Sequence, residues 1–331
     1  MNSNCRSASE CILSVVIPVF NEEENLVLLH QRLVAVLDPL VKDFELIFID
    51  DGSTDSSLAL MQDLVRGDAH CRFLAFTRNF GHESATTAGL EHASGDAAVI
   101  IDADLQDPPE VIEEMLQRWE EGYDVIYGRR SVRKQERLSK RASSYIYYRL
   151  LRRIAEVDIP VDTGDFRLMD RRVVDYFLMM REKNRFVRAE IAWLGGNASE
   201  VVYERESRHA GKTKYDFWKR LKLSVDGIVS FSTAPLHIMS MLGVIVFMLS
   251  LVAIVVIFIQ KVFFSIEVPG YAFLAISLFF LNGVEIFFVG LLGEYLARVY
   301  QEVQDRPLYL ISSMGGFEVE EDGEGSIQGD V

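Results

Sequence analysis

The stretch that decides the fold is Ala97-Ala98-Val99-Ile100-Ile101-Asp102-Ala103-Asp104, in which five apolar residues lead into two acids. A short continuous apolar run predicts a buried β-strand, here over 97–102. On an extended strand residues i and i+2 point to the same side, so we expect Asp102 and Asp104 to converge where the strand meets solvent. Paired carboxylates favour a divalent cation, and Mg²⁺ combines one or two of them with substrate phosphates. Two solvated loop acids would fit the same pattern.

Similar apolar runs recur through the first 130 residues and alternate with stretches of helical spacing such as 22–37. Strands that alternate with helices predict an α/β domain with a mostly parallel, doubly wound sheet, which binds ligands at the carboxyl ends of its strands. Asp50 and Asp51 fall at such an end, and Asp107 before Pro108 predicts a helix start. The other predicted strands cover 13–19, 44–50, 72–76 and 124–127.

The composition limits the possible partners. The chain has 331 residues and a net charge of -15, which is long enough for a sizeable core and argues against non-specific nucleic-acid binding. Cys5, Cys11 and Cys71 have no metal-binding or redox spacing, so we expect reduced thiols. No secretory signal precedes the first strand, and we expect a cytoplasmic N-terminus.

Two long apolar stretches mark the C-terminal third. The stretch 236–259 contains no Asp, Glu, Lys or Arg, and 271–292 is interrupted only by Glu285. Each is long enough to cross a bilayer core of roughly 30 Å, which predicts a transmembrane hairpin; two buried core helices are the alternative. Flanking basic residues place both termini and the α/β domain in the cytoplasm.

The predicted organisation follows from these segments. Basic amphipathic stretches at 139–154 and 215–230 are typical of helices that lie in the headgroup plane. The predicted segments are an N-terminal tail 1–12, the α/β domain 13–214, an interfacial helix 215–235, membrane helices 236–260 and 271–293 joined by an extracytoplasmic loop 261–270, and a cytoplasmic tail 294–331.

Four motifs stand in a family order: Pro18-Val19-Phe20-Asn21-Glu22, Asp50-Asp51-Gly52-Ser53-Thr54-Asp55, Asp102-Ala103-Asp104-Leu105-Gln106-Asp107-Pro108-Pro109 and Thr163-Gly164-Asp165-Phe166-Arg167-Leu168. With them the chain resembles family 2 glycosyltransferases of the GT-A fold over roughly 13–311. It is most similar to the polyprenyl-phosphate glycosyltransferases, which include dolichyl-phosphate mannose synthases, GtrB-type undecaprenyl-phosphate glucosyltransferases and the aminoarabinose transferase ArnC.

The resemblance implies roles for individual residues. Asp102, Asp104 and Gln106 correspond to ligands of Mg²⁺ or Mn²⁺, with Asp104, Asp165 and Arg129 as the catalytic set. Asp165 corresponds to an acid near the acceptor, and Arg129 to an arginine near the donor sugar and phosphates. The remaining substrate-binding positions are Pro18, Phe20, Glu22 and Asp51 around the nucleoside, Ala103 beside it, and Arg208 and Lys214 on the phosphates.

Several residues of the chain allow another interpretation of their role. Asp51 could cap the following helix. Arg167 is more readily a structural ion-pair partner, and His82 a helix-start or core residue. Glu285, inside the second span, could make a polar contact in an oligomer or with a lipid headgroup, or could simply be protonated.

The implied reaction moves a sugar, with glucose as the first expectation, from a UDP-sugar to undecaprenyl phosphate with inversion. A phosphate monoester is largely dianionic at neutral pH, so Asp165 need not be a strong base. The two apolar stretches predict a multi-pass protein of the inner membrane, and the polar Asn282 and Glu285 within them favour a homo-oligomer. The resemblance implies a tetramer. The alternatives are a GDP-mannose-dependent synthase, a processive polysaccharide synthase and a non-enzymatic lipid-handling protein.

Overall fold

A computed structural model of the chain describes residues 6–131, 163–205, 234–264 and 270–317. Its described strands form one sheet, and its helices follow in chain order around it. The strands are β1 (Ile12–Val19), β2 (Asp43–Asp50), β3 (Cys71–Phe76), β4 (Ala97–Ile100), β5 (Val125–Arg130), β6 (Thr163–Asp170), β7 (Ala198–Tyr203) and β8 (Ile311–Gly315). The helices are α1 (Leu26–Leu37), α2 (Ser57–Gly67), α3 (His82–His92), α4 (Val111–Glu120), α5 (Arg171–Met179), α6 (Val187–Leu194), α7 (Ala234–Phe264) and α8 (Tyr271–Gln304), with a 3-10 turn at Ala8–Glu10.

The sheet order is β7-β5-β6-β4-β1-β2-β3-β8. Strands β4, β1, β2 and β3 run parallel, as do β5 and β7. β6 lies antiparallel between β4 and β5, and β8 runs antiparallel along β3. The predicted α/β class with a mostly parallel sheet is confirmed.

The sheet is covered on both faces, which explains why its central strands are largely apolar. The buried Ser14 of β1 and Glu45 of β2 are exceptions, and they hydrogen-bond to each other. Helices α1, α2 and α4 bury residues such as Leu29, Met61 and Leu116 against one face. Helices α3, α5 and α6 bury Leu90, Phe177 and Ile191 against the other. With both faces covered, the carboxyl ends of the strands are where the sheet can present polar groups to a ligand.

Two local predictions were wrong. Strand β4 ends at Ile100, so Asp102 and Asp104 lie in a turn rather than on the strand. The Asp104 carboxylate accepts a hydrogen bond from Gln106 N at 3.1 Å, and Leu105 adopts a left-handed φ of 57°, both typical of a turn centred on an Asp. The alternation of side chains along an extended strand therefore does not explain the relative positions of Asp102 and Asp104.

The helix predicted to start at Asp107 begins later. Helix α4 starts at Val111, and the two prolines before it form a turn in which Val111 N bonds to Pro108 O at 3.2 Å. Asp107 is fully buried and its carboxylate accepts from Tyr203 Oη and Arg130 instead of capping the helix. A partly exposed cation and a buried phenol, rather than the backbone N–H groups of the helix, are therefore the partners of this carboxylate.

The two apolar stretches form the helices α7 and α8. Within α8, Phe280–Gln304 is long and apolar enough to cross a membrane, with a mean hydropathy of 1.4 and none of it buried. Helix α8 continues beyond the predicted end of the second span to Gln304, where the carboxylate of Glu302 accepts from Lys183 N at 2.8 Å. The pairing of α7 and α8 as a membrane hairpin stays a prediction.

The segment after α8 returns to the sheet. Strand β8 pairs with β3, and the Tyr309 ring stacks on Phe76 at 4.9 Å between centroids. Part of the predicted cytoplasmic tail is therefore an edge of the α/β domain.

Candidate active site

Charged side chains from β6, from α3 and from the turn after β4 meet at the carboxyl edge of the sheet. His82 opens α3, as predicted for a helix-start residue, and its Nε2 lies 3.5 Å from Asp165 Oδ2 and 3.9 Å from Asp102 Oδ1. His82, Asp102 and Asp165 each offer one ligand atom, and these atoms lie within 4.8 Å of one another. The three side chains form a possible metal site.

Arg188 on α6 fixes the carboxylate of Asp165. Its Nε donates to Oδ1 at 2.5 Å and its Nη2 donates to Oδ2 at 2.6 Å, which is the bidentate geometry that guanidinium and carboxylate groups favour. Burial alone would raise the pKa of Asp165, but these hydrogen bonds and the positive charge of His82 hold that pKa well below its usual range. Asp165 is thus kept ionised.

The pKa of Asp102 is shifted in the opposite direction to that of Asp165. Burial, together with the nearby carboxylates of Asp165, Asp107 and Asp104, raises the pKa of Asp102 to about 6, although His82 opposes the rise. Burial disfavours the imidazolium of His82, but Asp165 and Asp102 outweigh it and raise the pKa of His82 to about 9. A nearby cation stabilises a carboxylate that is surrounded by other carboxylates. Carboxylate oxygens are hard ligands, which suit Mg²⁺ or Mn²⁺.

Asp104 faces a second set of charged groups. Arg205, which follows β7, places its Nη2 3.9 Å from Asp104 Oδ2 and its Nε 3.6 Å from Asp107 Oδ1. Asp107 also pairs with Arg130 at 3.3 Å. The acid pair therefore spans two neighbouring clusters, with Asp102 beside His82 and Asp165, and Asp104 beside Arg205 and Asp107.

Asp51 organises the loop that precedes α3. Its carboxylate accepts from Phe80 N at 2.7 Å, from Gly81 N at 3.0 Å and from Asn79 Nδ2 at 2.8 Å. Burial raises the pKa of Asp51, although the two backbone hydrogen bonds act against the rise. The alternative that Asp51 caps α2 was wrong, because its hydrogen bonds go to the loop before α3.

The remaining predicted site residues in the described ranges lie near these strand ends. Pro18 is buried in β1, Phe20 after it is 42% exposed, and Ala103 is buried in the turn with the acids. The Glu22 carboxylate accepts from Asn25 Nδ2 at 2.6 Å. The half-buried Gln106 donates its backbone N–H to Asp104.

Of the three predicted cationic residues Arg129, Arg208 and Lys214, only Arg129 is among the described residues. Arg129 is 47% exposed and its Nε pairs with Glu200 at 3.0 Å, whereas its neighbour Arg130 reaches the buried Asp107. Arg208 and Lys214 lie outside the described residues, as do the interfacial stretches 139–154 and 215–230. Their roles stay predictions.

Arg167 has the structural role that the sequence favoured. It is 1% exposed, donates to the backbone oxygens of Asp165 and Gly164, and lies over the Tyr127 ring at 5.5 Å. The guanidinium thereby supports the backbone that carries Asp165.

Sequence reasoning missed Arg188, Arg205 and Arg130 and undervalued His82. Arg188 and Arg205 stand in no motif, and they reach Asp165 and Asp104 only through long-range packing of α6 and β7. The one available signal for His82 was its place after Asn79-Phe80-Gly81, a loop that must end near the sheet edge.

Comparisons with known proteins identify the family of the chain. Residues 14–177 match the model of glycosyl transferase family 2. An uncharacterised glycosyltransferase of Synechocystis is 43% identical over 92% of this chain and 96% of its own length. The uncharacterised glycosyltransferase YkcC of Bacillus subtilis is 42% identical over 92% of this chain and 94% of its own.

A relative with a named activity is equally well covered. The prophage-derived bactoprenol glucosyl transferase of Shigella flexneri is 40% identical over 90% of this chain and 97% of its own length. Among solved structures, a glucosyl-3-phosphoglycerate synthase from Mycobacterium tuberculosis is 20% identical with a TM-score of 0.45, covering 66% of this chain and 79% of that one. That structural likeness is too weak to bear on the site.

Proposed function

The chain belongs to glycosyltransferase family 2, and from this membership we propose that it transfers glucose from UDP-glucose to a polyprenyl phosphate. It is a glycosyltransferase with a GT-A-like α/β fold. The observation that carries the proposal is the 40% identity, over nearly the whole length of both chains, to a protein named for glucosyl transfer to bactoprenol. The acid cluster at the carboxyl edge of the sheet supplies the chemistry that such a transfer needs.

A divalent cation, Mg²⁺ or Mn²⁺, fits the donor set around Asp102. The carboxylates of Asp102 and Asp104, with Gln106 after them, would hold it. When bound, it neutralises charge that develops on the nucleotide diphosphate as the sugar departs. The desolvated Asp102, whose pKa is raised to about 6 among like charges, supports this assignment.

Asp165 serves as a fixed negative charge rather than as a proton acceptor. Its bidentate partner Arg188 and the cation of His82 hold its pKa well below the usual range, so it has little affinity for a proton at neutral pH. The acceptor phosphate is already dianionic and needs no base. We assign Asp165 to orienting the sugar and to stabilising positive charge that builds at the anomeric carbon during in-line attack.

Arg205 is the described cation best placed for the leaving group. Its guanidinium lies 3.9 Å from Asp104 and 3.6 Å from Asp107, in the chain just ahead of the predicted phosphate residues Arg208 and Lys214. Arg129 keeps its proposed place near the donor phosphates. Pro18, Phe20, Glu22, Asp51 and Ala103 would line the nucleoside.

The membrane supplies the acceptor. Helix α8 contains a stretch able to cross a bilayer, and α7 is mostly apolar, with no acidic residue and with Lys261 near its end. We place both helices in the plasma membrane with the α/β domain and both termini on the cytoplasmic side, where nucleotide sugars are available. We also propose that the protein forms a homo-oligomer, with the tetramer as the expected state.

Transfer of radiolabelled sugar to undecaprenyl phosphate tests the proposal on the full chain in detergent. With Mn²⁺ and a panel of UDP-sugars and GDP-mannose, we expect label in lipid from UDP-glucose. Asp104→Asn is expected to abolish transfer at saturating metal while leaving the thermal midpoint near that of the wild type. Asp63→Asn, which removes a carboxylate from an exposed pair with Arg66, is the matched control and should keep full activity.

The outcomes separate the alternatives. Label from GDP-mannose alone would identify a mannose synthase, and label in a growing polymer would identify a processive enzyme. Wild-type protein that labels no lipid with any donor would overturn glycosyl transfer to polyprenyl phosphate. Full activity of Asp104→Asn would remove the acid pair from the metal site.

A further inference from the structure

A second cluster of ligating side chains lies at the opposite edge of the sheet. His30 projects from α1, Asp68 follows α2, and Cys71 is the first residue of β3. One ligand atom from each lies within 4.8 Å of the others. Because β3 begins at Cys71, the cluster sits at the amino ends of the parallel strands, whereas Asp102 and Asp165 sit near the carboxyl ends.

Asp68 is the centre of this cluster. Its Oδ2 lies 2.8 Å from His30 Nε2, and its Oδ1 lies 2.7 Å from His70 Nδ1 and accepts from His70 N at 2.9 Å. The His70 ring stacks on Phe44 at 4.4 Å and is thereby held in place. The carboxylate is therefore oriented by one imidazole while the other side of it faces His30 and Cys71.

A cavity of about 280 Å³ gives solvent access to His30 and Asp68, while Cys71 is fully buried beside them. The cavity is formed between α1 and α2 and is lined by His30 and Asp68 together with apolar side chains such as Val27, Leu60 and Leu64. The side chains of His30 and Asp68 are 16% and 19% exposed. The site thus has an entry path and room for a water molecule as a further ligand.

We propose that His30, Asp68 and Cys71 bind a divalent transition metal ion, with Zn²⁺ as the best match. Zn²⁺ accepts nitrogen from His, oxygen from Asp and sulfur from Cys in proteins, at distances of about 2.0 to 2.3 Å. Ligand atoms on a tetrahedral zinc ion are about 3.3 to 3.8 Å apart, so side-chain movements of the order of an ångström would close the site. His70 is an outer hydrogen-bonding partner that orients the Asp68 carboxylate and is not itself a metal ligand.

The ligand set of His30, Asp68 and Cys71 disfavours Mg²⁺, the cation proposed for the catalytic site. Mg²⁺ prefers oxygen ligands and binds thiolates poorly, whereas Zn²⁺ and Co²⁺ accept nitrogen and sulfur ligands. Burial, with a contribution from Asp68, raises the pKa of the Cys71 thiol to about 12. Metal binding forms the S–metal bond and releases the thiol proton to solvent. The bound ion would tie α1 to the connection between α2 and β3.

Spectroscopy of the Co²⁺-substituted protein tests the site directly. The full chain in detergent is stripped with a chelator, supplied with excess Mg²⁺ to occupy oxygen-only sites, and titrated with Co²⁺. We expect a thiolate-to-cobalt charge-transfer band in the near ultraviolet that saturates at one equivalent. Cys71→Ser should remove the band, and His30→Gln should weaken Co²⁺ binding at least about tenfold. Cys11→Ser, which removes a buried thiol elsewhere in the same core, should keep it.

Thermal unfolding provides a second readout that does not depend on the Cys71 variant folding. Zn²⁺ should raise the thermal midpoint of the wild type and of His92→Gln, and should leave that of His30→Gln unchanged. A wild type without the band, or a band that persists in Cys71→Ser, would overturn the proposal, as would an equal Zn²⁺ shift in His30→Gln. Because none of these measurements uses sugar transfer, their outcome is independent of the proposed function.

Discussion

Arg188 on α6 donates a hydrogen bond to each carboxylate oxygen of Asp165 on β6, which lies 23 residues earlier in the sequence. Strand β6 runs antiparallel to its neighbours, so its amino end lies beside the carboxyl end of β4. Asp165, two residues into β6, is thereby brought near the turn that carries Asp102. The ion pair fixes the charge and the orientation of the acid that faces the possible metal site.

The first prediction concerns this ion pair. Arg188→Lys keeps the positive charge but loses the fork geometry, so the Asp165 carboxylate gains rotational freedom. Because a misplacement of about 1 Å at a reacting centre costs on the order of 100-fold, we expect kcat of glucose transfer to fall by about 10- to 100-fold. The KM for UDP-glucose should change little, since Arg188 contacts none of the predicted nucleoside residues in the described part of the chain.

The matched control is Arg66→Lys, which alters an exposed pair between Arg66 and Asp63 within α2. It should transfer glucose at the wild-type rate. A purely structural role for Arg188 would instead lower the thermal midpoint while kcat per folded enzyme stayed unchanged, and that result would contradict the prediction.

The second prediction concerns Gly52, the residue after Asp51. Its φ is 71°, and a Cβ there would lie 2.6 Å from the backbone of Arg78 and of Asn79. Gly52→Ala therefore strains its own backbone by about 1 to 2 kcal/mol and pushes on the loop that Asp51 holds. We expect a lower thermal midpoint and weaker UDP binding, measured by calorimetry.

Gly67→Ala is the control for Gly52→Ala. Gly67 ends α2, and a Cβ there meets no atom within 4 Å. Alanine at that position should leave UDP binding unchanged and should not lower the midpoint. Unaltered UDP binding in Gly52→Ala would show that the 78–81 loop does not shape the nucleoside site.

The third prediction is a pH dependence of stability at Asp170. This carboxylate caps α5 and accepts from Arg172 N, from Arg172 Nε and from Trp119 Nε1, with Arg6 2.9 Å away. Burial by itself would raise the pKa of Asp170, but these donors outweigh it and lower the pKa. Charge-assisted hydrogen bonds to a buried carboxylate are worth about 1.5 to 3 kcal/mol, and Asp170→Asn should lose that amount at pH 7.

The sign follows from the lowered pKa. The ionised carboxylate stabilises the folded state above its unfolded pKa of about 3.9, and this contribution is lost as the pH falls through the folded pKa. The difference in unfolding free energy between wild type and Asp170→Asn should therefore be largest near neutral pH and shrink below about pH 4. Asp175→Asn, at an exposed position on α5, should cost about 0.5 kcal/mol or less. A penalty that is the same at every pH would contradict the assignment.

The sequence predicted the parallel centre of the sheet because each of its strands contains a short apolar run. Strands β1 to β5 all appear, with ends within a few residues of the predicted ones. Strands β6 and β7 were missed because their residues mix charge with apolar groups, and β8 was missed because its five residues include two serines and a glycine. In β6 the carboxylate of Asp165 pairs with the distant Arg188, and Arg167 donates to backbone oxygens of the same strand.

The site was predicted only where motif residues carry it. Asp102, Asp104, Asp165 and Asp51 were singled out, and the structure places all of them at the carboxyl edge of the sheet. Their partners were missed because the Asp165–Arg188 contact depends on how α6 packs. The metal cluster of His30, Asp68 and Cys71 was missed for the same reason, since its spacing of 38 and 3 residues matches no ligand motif.

The last prediction concerns the segment that follows helix α8. Tyr309 stacks on Phe76 with an interplanar angle of 17°, and its hydroxyl donates to Glu91 on α3. Tyr309→Ala removes a half-buried aromatic contact worth about 2 kcal/mol and leaves Glu91 without this donor. Hydrogen exchange of the full chain should then accelerate in residues 309–317, which include β8, and in β3 beside them. Met314→Ala, at a 49% exposed position on β8, is the control and should leave exchange unchanged. Since β3 leads directly into the loop held by Asp51, faster exchange should extend to 77–81. Exchange confined to 309–317 would mean that the returning strand does not support the nucleotide side of the site.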